Sequence, residues 1–281
     1  MKKQINKRVL LFTCLFMLLI AIYSMFVHFT KYSPTEWLKY FKDTSDLSMI
    51  SHFSFWWYIK TYETFAGFMY IAPVLLIVAG CYSFFQTYRS GFLQNIIQRV
   101  GYKKAVSTEI FKCWISSLIL PIVSIVIFII SYFLYPNSKI LPYEATSGYP
   151  FQLVPDSMVS MNPYLFMIIY TFILFLFSII IINIGIIMTR YLKKFYLVIV
   201  GAFMGLIFIE NLNNFLVAPM VANVTNITKM LNGFSIYNLY YLDSIPSLLW
   251  EVIFAIVMTI ITTLAVYFIY KKEEKVNLSN E

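Results

Sequence analysis

Charge and metal-binding side chains are scarce in this sequence. Only 12% of its 281 residues are charged, where a soluble domain carries about 25%. There are two histidines, His28 and His52, with no H-E-x-x-H and no Cys/His cluster, which excludes a zinc-protease centre. A prenyl-protease-like site needs intramembrane Glu pairs with His, and these are missing as well. No G-x-x-x-x-G-K-[ST] occurs, so the chain holds no ATP through a P-loop. The three cysteines, Cys14, Cys81 and Cys113, lie in or at the edge of apolar runs, lack the spacing of a metal or redox pair, and read as packing residues. No catalytic residue and no metal ligand is expected, and the chain is not expected to be an enzyme.

What is abundant is apolar surface. Hydrophobic residues make up 60% of the chain and the mean hydropathy is +0.76. Six runs are long enough to cross about 30 Å of hydrocarbon as helices. They lie near Val9–Phe29, Phe65–Thr87, Cys113–Tyr135, Pro163–Thr189, Phe195–Phe215 and Leu248–Tyr270. Continuous runs of this kind favour helices over barrel strands, which alternate. The expected fold is therefore an all-α membrane protein with six transmembrane helices forming one transmembrane domain over 1–281. The first run follows MKKQINKR but is too long for a signal-peptide core and has no small-residue cleavage site after it, so it is expected to be retained.

The formal net charge of +8 reads as topology rather than as a nucleic-acid surface. With six spans both termini share a side. If that side is cytoplasmic, the inner segments hold Lys2, Lys3, Lys7, Arg8, Arg89, Arg99, Lys103, Lys104, Lys112, Arg190, Lys193, Lys194, Lys271, Lys272 and Lys275. The outer loops keep only Lys31, Lys39, Lys42, Lys60, Lys139 and Lys229, which places both termini inside.

On the outer side, SPTEWLKYFK carries a capping box at Ser33 and Glu36 and reads as a short interfacial helix. FSFWWYIKTYETF reads as an aromatic belt leading into the second span. The loop near residues 136–162, with five prolines from Pro136 to Pro163, reads as irregular. The Asn-rich stretch after the fifth run, broken at Asn232–Gly233, reads as a hairpin partly dipping into the membrane. Glu210, with Asn211, Asn213 and Asn214, falls near the outer boundary and reads either as a locally bonded interfacial acid or as lining for a substrate exit or outer gate. Gly201 and Gly205 form a G-x-x-x-G that fits a subunit contact or ordinary packing within the chain.

One segment departs from this pattern. YRSGFLQNIIQRVGYKKAVSTEIFK, Tyr88 to Lys112, is basic, and Leu93, Ile96, Ile97 and Val100 follow the helical spacing of a single apolar face. An amphipathic helix of about ten residues is expected, with Ser90 as its cap, Gly101 as its left-handed stop and Arg99 favourable in its last turn. A second turn, YKKAVSTE, is expected to precede the third span, with Ser107 or Thr108 capping it. By itself this helix suits either an anionic lipid surface or a groove in a cytoplasmic partner.

Six spans, inner termini, a cytoplasmic helix between spans 2 and 3 and a broken outer hairpin between spans 5 and 6 resemble the ABC-2-type permease family of ABC transporters. The residues that carry the resemblance are Arg89, Gly91, the Leu93/Ile96/Ile97 turn, the Lys103/Lys104 pair and Glu109-Ile110-Phe111-Lys112. Tyr88 and Arg89 stand where that family usually has an acid. The resemblance implies a bacterial cell-membrane exporter subunit that pairs with a second permease subunit, the same or different, and with separate ABC ATPase subunits. ATP and Mg would be bound by the ATPase, with no cofactor in this chain. It further implies that Arg89, Gly91, Phe92, Leu93, Ile96, Ile97, Arg99, Val100, Lys103 and Lys104 receive the ATPase movement. The substrate would be amphipathic: a peptide, antibiotic, lipid or glycolipid. The competing expectation is a non-transport immunity or sensor protein that binds a partner or toxin at its aromatic outer loops.

Overall fold

The computed structural model describes residues 2–31, 51–61, 63–135, 158, 161–207 and 245–278. Among these, all regular structure is helical. The helices are α1 (Lys2–Lys31), α2 (His52–Thr61), α3 (Glu63–Arg89), α4 (Phe92–Val100), α5 (Tyr102–Ile115), α6 (Ile119–Leu134), α7 (Pro163–Tyr191), α8 (Phe195–Ile207) and α9 (Ile245–Leu278).

Among the described residues, five segments are long and apolar enough to cross a membrane: Val9–Val27, Ile71–Arg89, Tyr102–Leu134, Pro163–Tyr191 and Val252–Lys271. The protein is thus a multi-pass helical membrane protein. The expected fifth span, from Phe195 to Phe215, is described only as α8, about 20 Å long at 1.5 Å per residue. Glu210, Asn211, Asn213, Asn214, the Asn232–Gly233 hairpin and the outer-loop helix at Ser33–Phe41 lie outside the described residues.

The central helix is α7. Its start follows from its sequence: Asn162 is the N-cap and accepts from the Tyr164 backbone N–H at 3.0 Å, and Pro163 occupies the first helical position. Helices α3, α6 and α9 pack around it, and α1 lies against α3 and α6. Small residues let α3 and α7 approach closely. A Cβ on Gly185 would lie 2.7 Å from Cys81 Sγ, and one on Gly80 would lie 3.2 Å from Ile182 Cγ1. Gly201 and Gly205 on α8 meet this chain's own α7 end: the Cβ positions lie 3.1 Å from Leu192 Cδ1 and 4.0 Å from Met188 Cε.

The third span is not the uniform helix the hydropathy implies. A 3-10 turn at Ser116–Leu118 separates α5 from α6. Pro121 explains it. Proline offers no N–H to the carbonyl of Ser117 and its ring crowds that carbonyl, so the chain tightens just before it. The Ser117 hydroxyl then donates to Trp114 O at 2.6 Å.

Helix α2 corrects the interfacial-belt expectation. Phe53, Phe55, Trp56 and Trp57 are all fully buried, packed between α3 and α6 and against α7. Trp56 and Trp57 meet Tyr170 edge-on at 5.6 and 5.3 Å, and Trp56 Nε1 donates to Ser124 O at 3.1 Å. Aromatic side chains suit both a membrane interface and a packed core, so composition alone does not separate the two.

Candidate coupling surface at the basic end of the bundle

The segment Tyr88–Lys112 folds as helix, glycine, helix, glycine, helix. Helix α3 ends at Arg89, and Ser90 N–H still donates to Gln86 O at 3.0 Å. Gly91 then takes φ 68°, ψ 0°, and α4 starts at Phe92. Gly101 takes φ 81°, ψ 155°, and α5 starts at Tyr102. These are the only positive-φ residues among those described, and both are glycine because a Cβ is disfavoured there.

Three local expectations change. Gly91, not Ser90, is the N-cap of α4, and no side chain caps it. Gly101 has a positive φ but an extended ψ, a region essentially reserved for glycine, rather than a left-handed helical stop. The chain does not break again at Ser107 or Thr108: both hydroxyls donate back to Lys104 O, at 3.3 and 2.7 Å, inside a continuous α5.

The apolar stripe on α4 divides between two surroundings. Leu93 is 5% exposed and faces the bundle, and Ile96 and Ile97 are half-buried against it. Phe92 and Val100 are 40% and 46% exposed. Gln94, Asn95, Gln98, Arg99, Lys103 and Lys104 are exposed beside them. No acid lies between Glu63 and Glu109, so this surface is basic throughout. Glu109 is buried and pairs with Lys112 one turn later on the same helix.

Arg89 has a defined task inside the protein. Its Nη2 donates to Leu192 O at 2.8 Å and to Thr189 O and Arg190 O at 3.1 Å each, which closes the C-terminal end of α7. Those carbonyls carry the negative end of the helix dipole and have no partner within the helix. In return, Arg190 Nη1 donates to the Tyr88 hydroxyl at 2.6 Å. The Tyr88 and Phe84 rings meet Tyr270 of α9 at 6.1 and 5.6 Å, and Tyr102 O–H donates to Tyr270 O at 2.7 Å. Helices α3, α5, α7 and α9 are thus tied together at the end that carries α4.

The sequence reading missed a second polar feature. Asn183, about two thirds of the way along α7 and fully buried, accepts from Trp114 Nε1 at 2.8 Å. Its Nδ2 lies 3.2 Å from Thr262 Oγ1 and 3.1 Å from Thr263 Oγ1 on α9. The available signal was a lone Asn inside an otherwise apolar run. Among the described residues no group of His, Cys, Asp and Glu is placed to hold a metal.

No protein-family model, no curated protein and no solved structure matches this chain.

Proposed function

We propose that this chain is the permease subunit of an ATP-binding cassette exporter in a bacterial cytoplasmic membrane. In this reading it has six spans and inner termini, pairs with a second permease subunit, and is driven by a separate ATPase subunit that binds ATP and Mg. The substrate is amphipathic, because the spans are nearly free of charge and disfavour a small inorganic ion. The observation that carries the reading is α4 itself. It is a short helix hung on two glycines between two membrane-spanning helices, basic, with Phe92 and Val100 turned outward. A chain without a P-loop needs such a handle to receive work from a partner. The competing reading, a toxin-binding or sensor protein with aromatic outer loops, loses the aromatics of α2, which are buried.

The test is purification of the tagged chain from its native membrane in mild detergent. A P-loop ATPase with vanadate-sensitive ATP hydrolysis is expected to come with it. The paired change Arg99→Glu and Val100→Asp is expected to abolish that association while the chain still inserts and elutes as a single species. These two positions are exposed, whereas Ile96 and Ile97 also pack on the bundle. Failure of any ATPase to accompany the unmodified chain overturns the proposal.

A further inference from the structure

Two open clefts sit side by side on the basic end of the bundle. The first, about 490 Å³, is lined by Val100, Gly101, Tyr102, Lys103, Lys104 and Ser107. The second, about 500 Å³, runs between α5 and α9, with Ile110, Phe111, Trp114 and Val266 among its walls. Ser107 lines both, so they adjoin. Each volume falls in the range of about 300–1,000 Å³ typical of ligand sites.

The two compartments differ in chemistry. Several polar groups along the second are already engaged within the protein. Ser107 and Thr108 donate to Lys104 O, and Trp114 Nε1 donates to Asn183. The Thr263 hydroxyl oxygen accepts from Asn183 Nδ2. What this groove offers a ligand is therefore hydrocarbon, flanked by Phe111 and Tyr267, both substantially exposed. In the first cleft the Tyr102 hydroxyl is likewise spent on Tyr270 O, which leaves the two exposed lysines as donors. A third ammonium, Lys271 Nζ, lies 5.3 Å from the centroid of the Tyr267 ring on the far wall. Among the described residues, no acid lines either cleft.

Lengths agree with one leaflet. From Lys103 to Trp114 the helix rises about 16 Å, and half of a ~30 Å hydrocarbon core is about 15 Å. We propose that these two adjoining clefts together bind one acidic phospholipid, with its phosphate at Lys103 and Lys104, Lys271 at the groove edge, and an acyl chain along Ile110, Phe111, Trp114 and Val266. Two lining lysines, with Lys271 at the edge and no acid among the described lining side chains, select for negative charge, and a mostly apolar groove accepts an acyl chain. This inference stands apart from the exporter reading and needs only that the chain sits in a membrane.

The experiment is native mass spectrometry of the full chain, purified in detergent without any ATPase. It is titrated with phosphatidylglycerol or with phosphatidylcholine bearing the same acyl chains. One phosphatidylglycerol per chain is expected to be retained at least tenfold more tightly. Lys103→Gln with Lys104→Gln is expected to cut that preference by roughly ten- to thirty-fold, at about fivefold per lysine near a membrane surface. Lys103→Arg with Lys104→Arg is expected to keep it, which separates charge loss from misfolding. Thr108→Trp, from the exposed wall, is expected to fill the groove and lower retention of the lipid. Equal retention of the two lipids would mean boundary lipid only and overturn the site. Displacement of phosphatidylglycerol by millimolar inorganic phosphate would also overturn it, since the site would then read a free anion and not a lipid.

Discussion

Arg89 Nη2 donates to the carbonyl oxygen of Leu192 at 2.8 Å, so the last residue of α3 seals the last turn of α7. The same nitrogen reaches Thr189 O and Arg190 O. Tyr88 and Arg89 therefore both have partners at the end of α7. An acid at position 89 would face the negative end of the α7 dipole and be repelled.

Arg89→Lys is expected to destabilise the protein. An ammonium is a point donor and does not span three carbonyls as the guanidinium does, so the loss is about 1–2 kcal/mol. Thermal unfolding of the purified chain in detergent measures it. An unchanged midpoint would show that the contacts at this end contribute nothing.

The two glycine joints are expected to respond differently to substitution. Nothing within 4 Å would meet a Cβ at either, so only backbone conformation matters. Gly91 is left-handed helical, a region asparagine tolerates, so Gly91→Asn costs about 1 kcal/mol or less. Gly101 has φ 81° with ψ 155°, so Gly101→Ala costs about 1–3 kcal/mol. Melting temperatures of the pair, compared side by side, decide whether this order holds.

Close packing between α3 and α7 yields a double-mutant test. Gly185→Ala brings its Cβ to 2.7 Å from Cys81 Sγ, which must then shift. Overpacking of this kind costs about 1–3 kcal/mol. Adding Cys81→Ala removes the clashing sulfur, so the double variant is expected to be more stable than the sum of the two singles. Strict additivity in denaturation would place the strain elsewhere.

Asn183→Leu removes the hydrogen bonds that join α5, α7 and α9 at one point. Interhelical bonds within membranes contribute about 0.6–1.7 kcal/mol each, so a loss of about 1–3 kcal/mol is expected. The Trp114 N–H also loses its acceptor, which a shift in its fluorescence in a background lacking the other tryptophans would report.

The long apolar runs were legible in the sequence because a helix of that length needs only the summed apolarity of one segment. The runs read near Val9–Phe29, Pro163–Thr189 and Leu248–Tyr270 correspond to described segments Val9–Val27, Pro163–Tyr191 and Val252–Lys271. The helical segment that carries the third run begins at Tyr102, ahead of the run itself, since Ser107 and Thr108 bond back to Lys104 inside an unbroken helix. The α4 helix was legible from its period and its flanking glycines. Its division into buried Leu93 and exposed Val100 was not, since one apolar stripe looks the same whichever part of it a neighbour covers. The Arg89 closure was hidden for a related reason. It joins residues about a hundred positions apart through backbone oxygens, and every residue type carries one of those.

If a partner pushes on α4, as proposed, the glycines at its two ends would decide what kind of motion is passed on. Nine residues make a rung about 13 Å long, fastened at one end to α3 and at the other to α5. Single-residue joints at Gly91 and Gly101 absorb twist about the rung's own axis. They are too short to absorb sideways travel. A partner that merely rolled α4 would leave the membrane helices where they are, whereas one that displaced it would drag α3 and α5 together. Through Arg89 and Tyr102, the ends of α7 and α9 would be drawn along with them.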